Sequence, residues 1–202
     1  MTGKEIMFEE VNRGHDAFVK NEPRDLFYRA ATELVSLALR NAVNLTVAEA
    51  LAVLLHTWNR GYFRFQRPDK AEHFASLERL LTEYHGVIHE YRKRSIDTVD
   101  SGEQVKIANL FQEFEGVLGP VGAAKALHLL APRFFPLWDR AIARARGVPL
   151  RKAGFNGDRY FKFIVEAQAQ YRELKRQQPE HEDLLKWLDE YNYCKYTTGW
   201  LR

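Results

Sequence analysis

Apolar residues recur along this chain at the spacing of helices. From Arg24 to Arg40, Leu26, Phe27, Ala30, Leu34, Ala38 and Leu39 return near every third or fourth position, which predicts a core helix. A shorter amphipathic segment precedes it, from about residue 5 to 20, and Asn21-Glu22-Pro23 breaks it. Thr46-Val47-Ala48-Glu49 reads as a capping box, with Thr46 as N-cap and Glu49 three residues on, opening the apolar run Leu51 to Leu55. After a turn at Pro68-Asp69 the spacing predicts one helix from about 71 to 93, a turn at Asp97 to Gly102, and a helix from about 103 to 117. Further helices are expected after Asp139, over 158–176 and over 183–193, where Leu184, Leu185, Trp187, Leu188 and Tyr191 keep the period. No alternating strand pattern of useful length occurs. The expected class is all-α: one domain over residues 1–202, a two-lobed helical bundle whose lobes (about 1–20 with 132–202, and 21–131) share a cleft.

The stretch from Val117 to Arg146 departs from plain helix. Leu118-Gly119-Pro120-Val121-Gly122 reads as a tight glycine turn between two helices, because glycine permits positive φ and close backbone approach. Amide groups at the start of the following helix, at its positive dipole end, suit a phosphate. Beyond Pro132 the run Phe134-Phe135-Pro136-Leu137-Trp138 is apolar enough to be buried, and it delivers Asp139 to a helix start.

Composition narrows the chemistry. With 46% hydrophobic and 28% charged residues the 202-residue chain should fold around a real core. A formal charge of +3 is compatible with nucleic acid without requiring it. The single cysteine, Cys194, excludes an internal disulfide, an all-cysteine zinc site and a four-cysteine cluster, and is read as a buried or idle thiol. The seven histidines show no metal-binding spacing, so neither metal nor cofactor is expected. No apolar run approaches a membrane span, and the first residues show no signal segment, so an intracellular, cytoplasmic and nucleoid-associated protein without membrane contact is expected.

The LGPVG hairpin followed by Asp139-Arg140-Ala141-Ile142-Ala143-Arg144 resembles the helix-hairpin-helix DNA glycosylase superfamily, whose pattern is a hairpin close to LPGVG, then a helix, then D-T-H-[IV]-x-R. Over about thirty residues Asp139, Ile142 and Arg144 keep matching spacing. Pro and Gly are exchanged in the hairpin. Lys125 stands three residues after Gly122, where bifunctional members place a catalytic lysine two after; that position holds Ala124. The segment Thr57-Trp58-Asn59-Arg60-Gly61-Tyr62-Phe63-Arg64 is similar to the S-S-N-N-N-I-A-R segment of the 8-oxoguanine branch, with Asn59 and Arg64 at matching positions. Its interleaved rings and guanidinium groups suit bases and phosphates.

The resemblance implies an N-glycosylase that flips a damaged or modified base, an oxidised purine or a hypermodified base of foreign DNA, out of double-stranded DNA, in repair or in phage defence. Asp139 is the expected carboxylate at C1′; its bland alternative is a helix N-cap. Lys125 is either a Schiff-base nucleophile or a phosphate contact, and its shifted position favours a monofunctional enzyme. Leu118, Gly119, Val121, Gly122, Asn59, Arg60, Arg64 and Arg144 are the expected DNA contacts. Trp58, Trp138 and His128 are pocket candidates, with Tyr160, Phe163 and Trp187 behind them. The expected active unit is a monomer. Two readings compete: a non-catalytic helix-hairpin-helix DNA-binding protein, which has no need of Asp139, and an all-α interaction protein.

Overall fold

The computed structural model describes residues 6–58 and 70–201. Helix α1 spans Phe8–Asn21, α2 Asp25–Leu39 and α3 Val47–Trp58. Next come α4 (Lys70–Glu83) and α5 (His85–Arg92), then two 3₁₀ turns at Ile96–Thr98 and Ser101–Glu103. The long α6 runs Gln104–Leu130, followed by α7 (Arg140–Ala145), α8 (Gly157–Gln177), α9 (Leu184–Asn192) and a π-helical segment at Tyr193–Thr198. Among the described residues there is no strand, and the class is all-α.

Local chemistry sets several boundaries. Thr46 and Glu49 form the expected reciprocal cap: Glu49 Oε2 accepts from Thr46 N–H (2.7 Å), and Thr46 Oγ1 accepts from Glu49 N–H (3.2 Å). Residues 71–93, expected as one helix, form two, because Tyr84 leaves helical geometry (φ −95°, ψ 9°). Hydrogen bonds from Tyr84 N–H to Leu80 O and from Ile88 N–H to Tyr84 O run across that corner, so the break is a bend and not a loop.

The expected tight turn at Gly119 is instead a one-residue kink inside α6. Gly119 takes φ 69° and ψ 168°, a combination open essentially to glycine alone. Pro120 follows where a helix restarts, and its missing N–H costs nothing there. At the far end of α6, Arg92 Nη1 donates to the carbonyls of Leu129 (3.3 Å) and Leu130 (2.7 Å), which no longer have helical partners.

One continuous cluster of buried side chains runs from α1 to α9. α6 packs against α2, α3, α4 and α8. α1 packs on α9 so closely that a Cβ on Gly14 would lie 2.7 Å from Tyr191 Cα. Cys194 is buried at the same crossing and its Sγ donates to Gly14 O (3.4 Å). Burial pushes that thiol up to about 12, which leaves it unreactive. Among the described residues no helix is long and apolar enough to cross a membrane, and no cluster of acidic, histidine and cysteine side chains could hold a metal ion.

Candidate functional site

The segment between α6 and α7 positions the site. Trp138 is fully buried against Phe111, Tyr160 and Phe163, with ring centroids 5.8, 5.5 and 6.2 Å away. Tyr160 Oη donates to Pro136 O (2.8 Å), which ties the preceding backbone to α8. Beyond this anchored stretch Asp139 is the N-cap of α7. Asp139 Oδ1 accepts from Ile142 N–H (2.8 Å), while Oδ2 accepts from Thr197 Oγ1 (2.6 Å) in the π-helical segment.

A pocket of about 90 Å³, room for several water-sized groups, opens beside Asp139. Its walls are Phe18, Trp58, Trp138 and Tyr193, with Leu137 and Ile142 between them. Three cations, Arg24, Lys125 and Lys186, and four acids, Glu22, Asp139, Asp189 and Glu190, also line it. Most of these are paired. Arg24 grips Glu22 with Nε and Nη2 (2.7 and 2.6 Å), Tyr193 Oη donates to Glu22 (3.0 Å), and Lys186 donates to Glu190 (2.5 Å).

Lys125 is partly buried and donates to the carbonyl of Trp58, the last residue of α3. Loss of hydration brings its pKa down from 10.5 to about 8; the charge of Asp139 opposes that fall and Arg24 adds to it. The expected lysine position two after Gly122 would not serve, since Ala124 is fully buried in the core. Shifting the residue by one, about 100° around the helix, is what brings the amine to the pocket.

Trp58 is fixed by its own hydrogen bond, Nε1–H to Arg24 O (3.2 Å), and by stacking on Tyr28 at 5.7 Å. His128, expected near the pocket, is not part of its lining. It is buried behind it: Nδ1–H donates to Phe135 O (2.7 Å), so Nε2 carries the lone pair that accepts from Tyr28 Oη (2.8 Å). Burial holds this imidazole neutral, with a pKa lowered to about 4. The 3.7 Å approach of Asp189 Oδ2 is accordingly not an ion pair. Tyr160 and Phe163 belong to the aromatic core, and Trp187 stacks on His15 at 4.0 Å; none of the three lines the pocket.

Of the expected hairpin contacts, Leu118 and Gly122 are buried in packing, whereas Gly119 and Val121 are partly exposed. Arg140 and Arg144 are exposed on α7. Arg146 is engaged by Glu166 (3.0 Å) and Asn192 (2.5 Å). Asn59, Arg60 and Arg64 lie outside the described residues, although Trp58 at their boundary reaches the pocket.

No family model, curated protein or solved structure matches the chain.

Sequence reasoning missed most of the pocket. Asp189 carried a signal: it falls four residues after Leu185 and one after Leu188, on the buried stripe of α9, where a carboxyl is out of place. Glu22 and Arg24 carried none, because residues flanking a helix-breaking proline read as a solvated turn.

Proposed function

We propose that this protein is a DNA N-glycosylase of the helix-hairpin-helix kind, acting on double-stranded DNA to excise a damaged or modified base. The observation that supports it is that Asp139 and Lys125 share one aromatic-walled pocket. Asp139 is held by two hydrogen bonds and Lys125 carries a pKa near 8. A plain capping aspartate requires neither the second bond nor the lysine.

In this reading the target nucleotide is extruded and its C1′ lies beside Asp139. As the glycosidic bond breaks, positive charge grows on the sugar and the carboxylate stabilises it. Near pH 8 about half of Lys125 is free amine, so its lone pair can attack C1′ as the base leaves with the bonding electrons and takes up a proton. The resulting aminal opens to a Schiff base, from which strand scission follows. This makes the enzyme bifunctional, a change from the hydrolytic course that the position of the lysine favoured. Attack by water, oriented by Asp139, is the course left when Lys125 is removed.

The Gly119–Pro120 kink serves here as the hairpin, with Gly119 and Val121 beside one phosphate and Arg140 and Arg144 along the backbone. The active unit is a monomer on intracellular DNA. Release of free base from a modified duplex, abolished by Asp139→Asn, tests the proposal.

A further inference from the structure

The loop that joins α7 to α8 carries an apolar side chain that the fold does not use. Phe155 is 69% exposed, the most of any described phenylalanine, and it belongs neither to the core cluster nor to the side chains packed on it. The loop around it is nonetheless held. Asn156, the next residue, is fully buried: its Oδ1 accepts from Arg151 N–H (2.7 Å), and its Nδ2 donates to the carbonyls of Arg151 (3.2 Å) and Lys152 (3.1 Å) and to Glu115 Oε1. Phe155 N–H donates to Lys152 O (3.2 Å), and Arg159 Nη1 donates to Pro149 O (3.3 Å). Gly154 takes φ 87° although a Cβ there would meet nothing within 4 Å, so glycine serves the direction of the chain and not a need for room. One buried amide side chain thus fixes a loop whose tip stays in water.

The charged neighbours of that tip are cations. Arg151 and Lys152 are exposed, as are Arg140 and Arg144 on α7, and among the described residues none of the four makes an ion pair. The next exposed acid along the chain, Asp158, is engaged by Gln104 Nε2 (3.0 Å). Glu115, to which Asn156 bonds, stands on α6 four residues before Gly119, about one helical turn or roughly 6 Å of rise. The loop is therefore anchored one turn from the kink to which the proposed function gives a phosphate.

We propose that this loop is a second contact with DNA, in which Arg151 and Lys152 meet phosphates and the Phe155 ring stacks on an unpaired base. The inference rests on the DNA-binding part of the proposed function and not on base excision. Charge selects the occupant. An exposed ring beside cations that lack ion pairs suits an anionic partner with aromatic faces, and DNA supplies both. A second copy of the chain would bring the same cations to the same face, where like charges repel. Because the loop is ordered before DNA arrives, its contacts add affinity at little cost in conformational entropy.

The test is binding of the full chain to two labelled duplexes, one fully paired and one with a single bulged thymidine, followed by fluorescence anisotropy at several salt concentrations. Phe155→Ala should weaken binding to the bulged duplex about tenfold and to the paired duplex less than about threefold, while Phe155→Trp should retain both. Arg151→Gln with Lys152→Gln should lower the slope of log affinity against log salt on the paired duplex by about 1.8, since each phosphate contact contributes about 0.9. All three side chains are exposed, so thermal unfolding of these variants should match that of the parent chain. Equal loss on both duplexes in Phe155→Ala, no loss on either, or an unchanged salt slope overturns the inference. So does a dimer, or binding to phosphatidylserine vesicles, that Phe155→Ala abolishes while leaving DNA affinity unaltered. Phe155-dependent binding to bulged DNA with no excision from any duplex leaves this inference standing and removes the glycosylase reading; excision with DNA binding indifferent to Phe155 does the reverse.

Discussion

Thr197 donates a 2.6 Å hydrogen bond to Asp139 Oδ2, across 58 residues of sequence, from a π-helical segment that periodicity does not announce. The other oxygen is held by the amide of Ile142. The carboxylate is thus fixed at both ends, one by local capping and one by the C-terminal segment.

Thr197→Ala should therefore act on orientation and not on folding, since Thr197 is exposed. A carboxylate released from one of its two holds is less well placed at C1′, so the rate of base release should fall about tenfold. Single-turnover kinetics should show the loss in the chemical step with DNA affinity unchanged, and Thr197→Ser should restore most of it. Equal activity in Thr197→Ala would remove the positioning role.

Lys125 fixes a pH dependence. As its pKa is lowered to about 8, the free amine grows as pH rises through 8 and saturates above it. Strand scission without alkali should follow that curve, and borohydride should trap a covalent protein–DNA adduct. Lys125→Gln should lose both while retaining base release into alkali-labile sites. An adduct persisting in Lys125→Gln would place the amine elsewhere.

His128 should govern acid stability. Its native pKa lies near 4, below the ordinary 6.5, so between these values the unfolded chain binds a proton that the folded chain refuses. Stability is then lost as pH falls from about 6.5 toward 4, by up to about 3 kcal/mol. Denaturant titrations at pH 7 and pH 4.5 should show this drop, and His128→Gln should flatten it while lowering stability at pH 7 through the lost Tyr28 and Phe135 contacts.

Gly119→Ala places a Cβ on backbone at φ 69° and ψ 168°. A conformation so nearly restricted to glycine costs other residues about 1–3 kcal/mol, and either that cost or a relaxed kink should appear. Thermal unfolding should report the first and weaker, less salt-dependent DNA binding the second; a variant unchanged in both would contradict the role given to the kink.

How far the sequence carried these conclusions depends on the range of the forces involved. The helices were legible because capping is local, as Thr46–Glu49 illustrates, but the buried face of α2 was not: Leu26 and Phe27, expected in the core, are exposed, and Tyr28, Ala31, Val35 and Ala38 are the residues packed inward. Asp139 was legible for the same reason, as a polar residue at the end of an apolar run. Lys125 was half legible: the helix that carries it was expected, but its direction depends on where Gly119 turns that helix. The 71–93 segment misled because the apolar period continues across the bend at Tyr84. Asp189 and Glu22 come to line the pocket, and Thr197 comes to bond Asp139, only through tertiary packing, and nothing in their sequence neighbours says so.

The most direct measurement is incubation of the purified protein and of Asp139→Asn with end-labelled duplexes, each carrying one oxidised, deaminated, alkylated or hypermodified base, read before and after alkali. The account predicts breaks at one class of modified base, partly independent of alkali, falling at least about a hundredfold in Asp139→Asn. Tight, salt-sensitive DNA binding with no break in any duplex, or breaks that Asp139→Asn leaves unchanged, would contradict it.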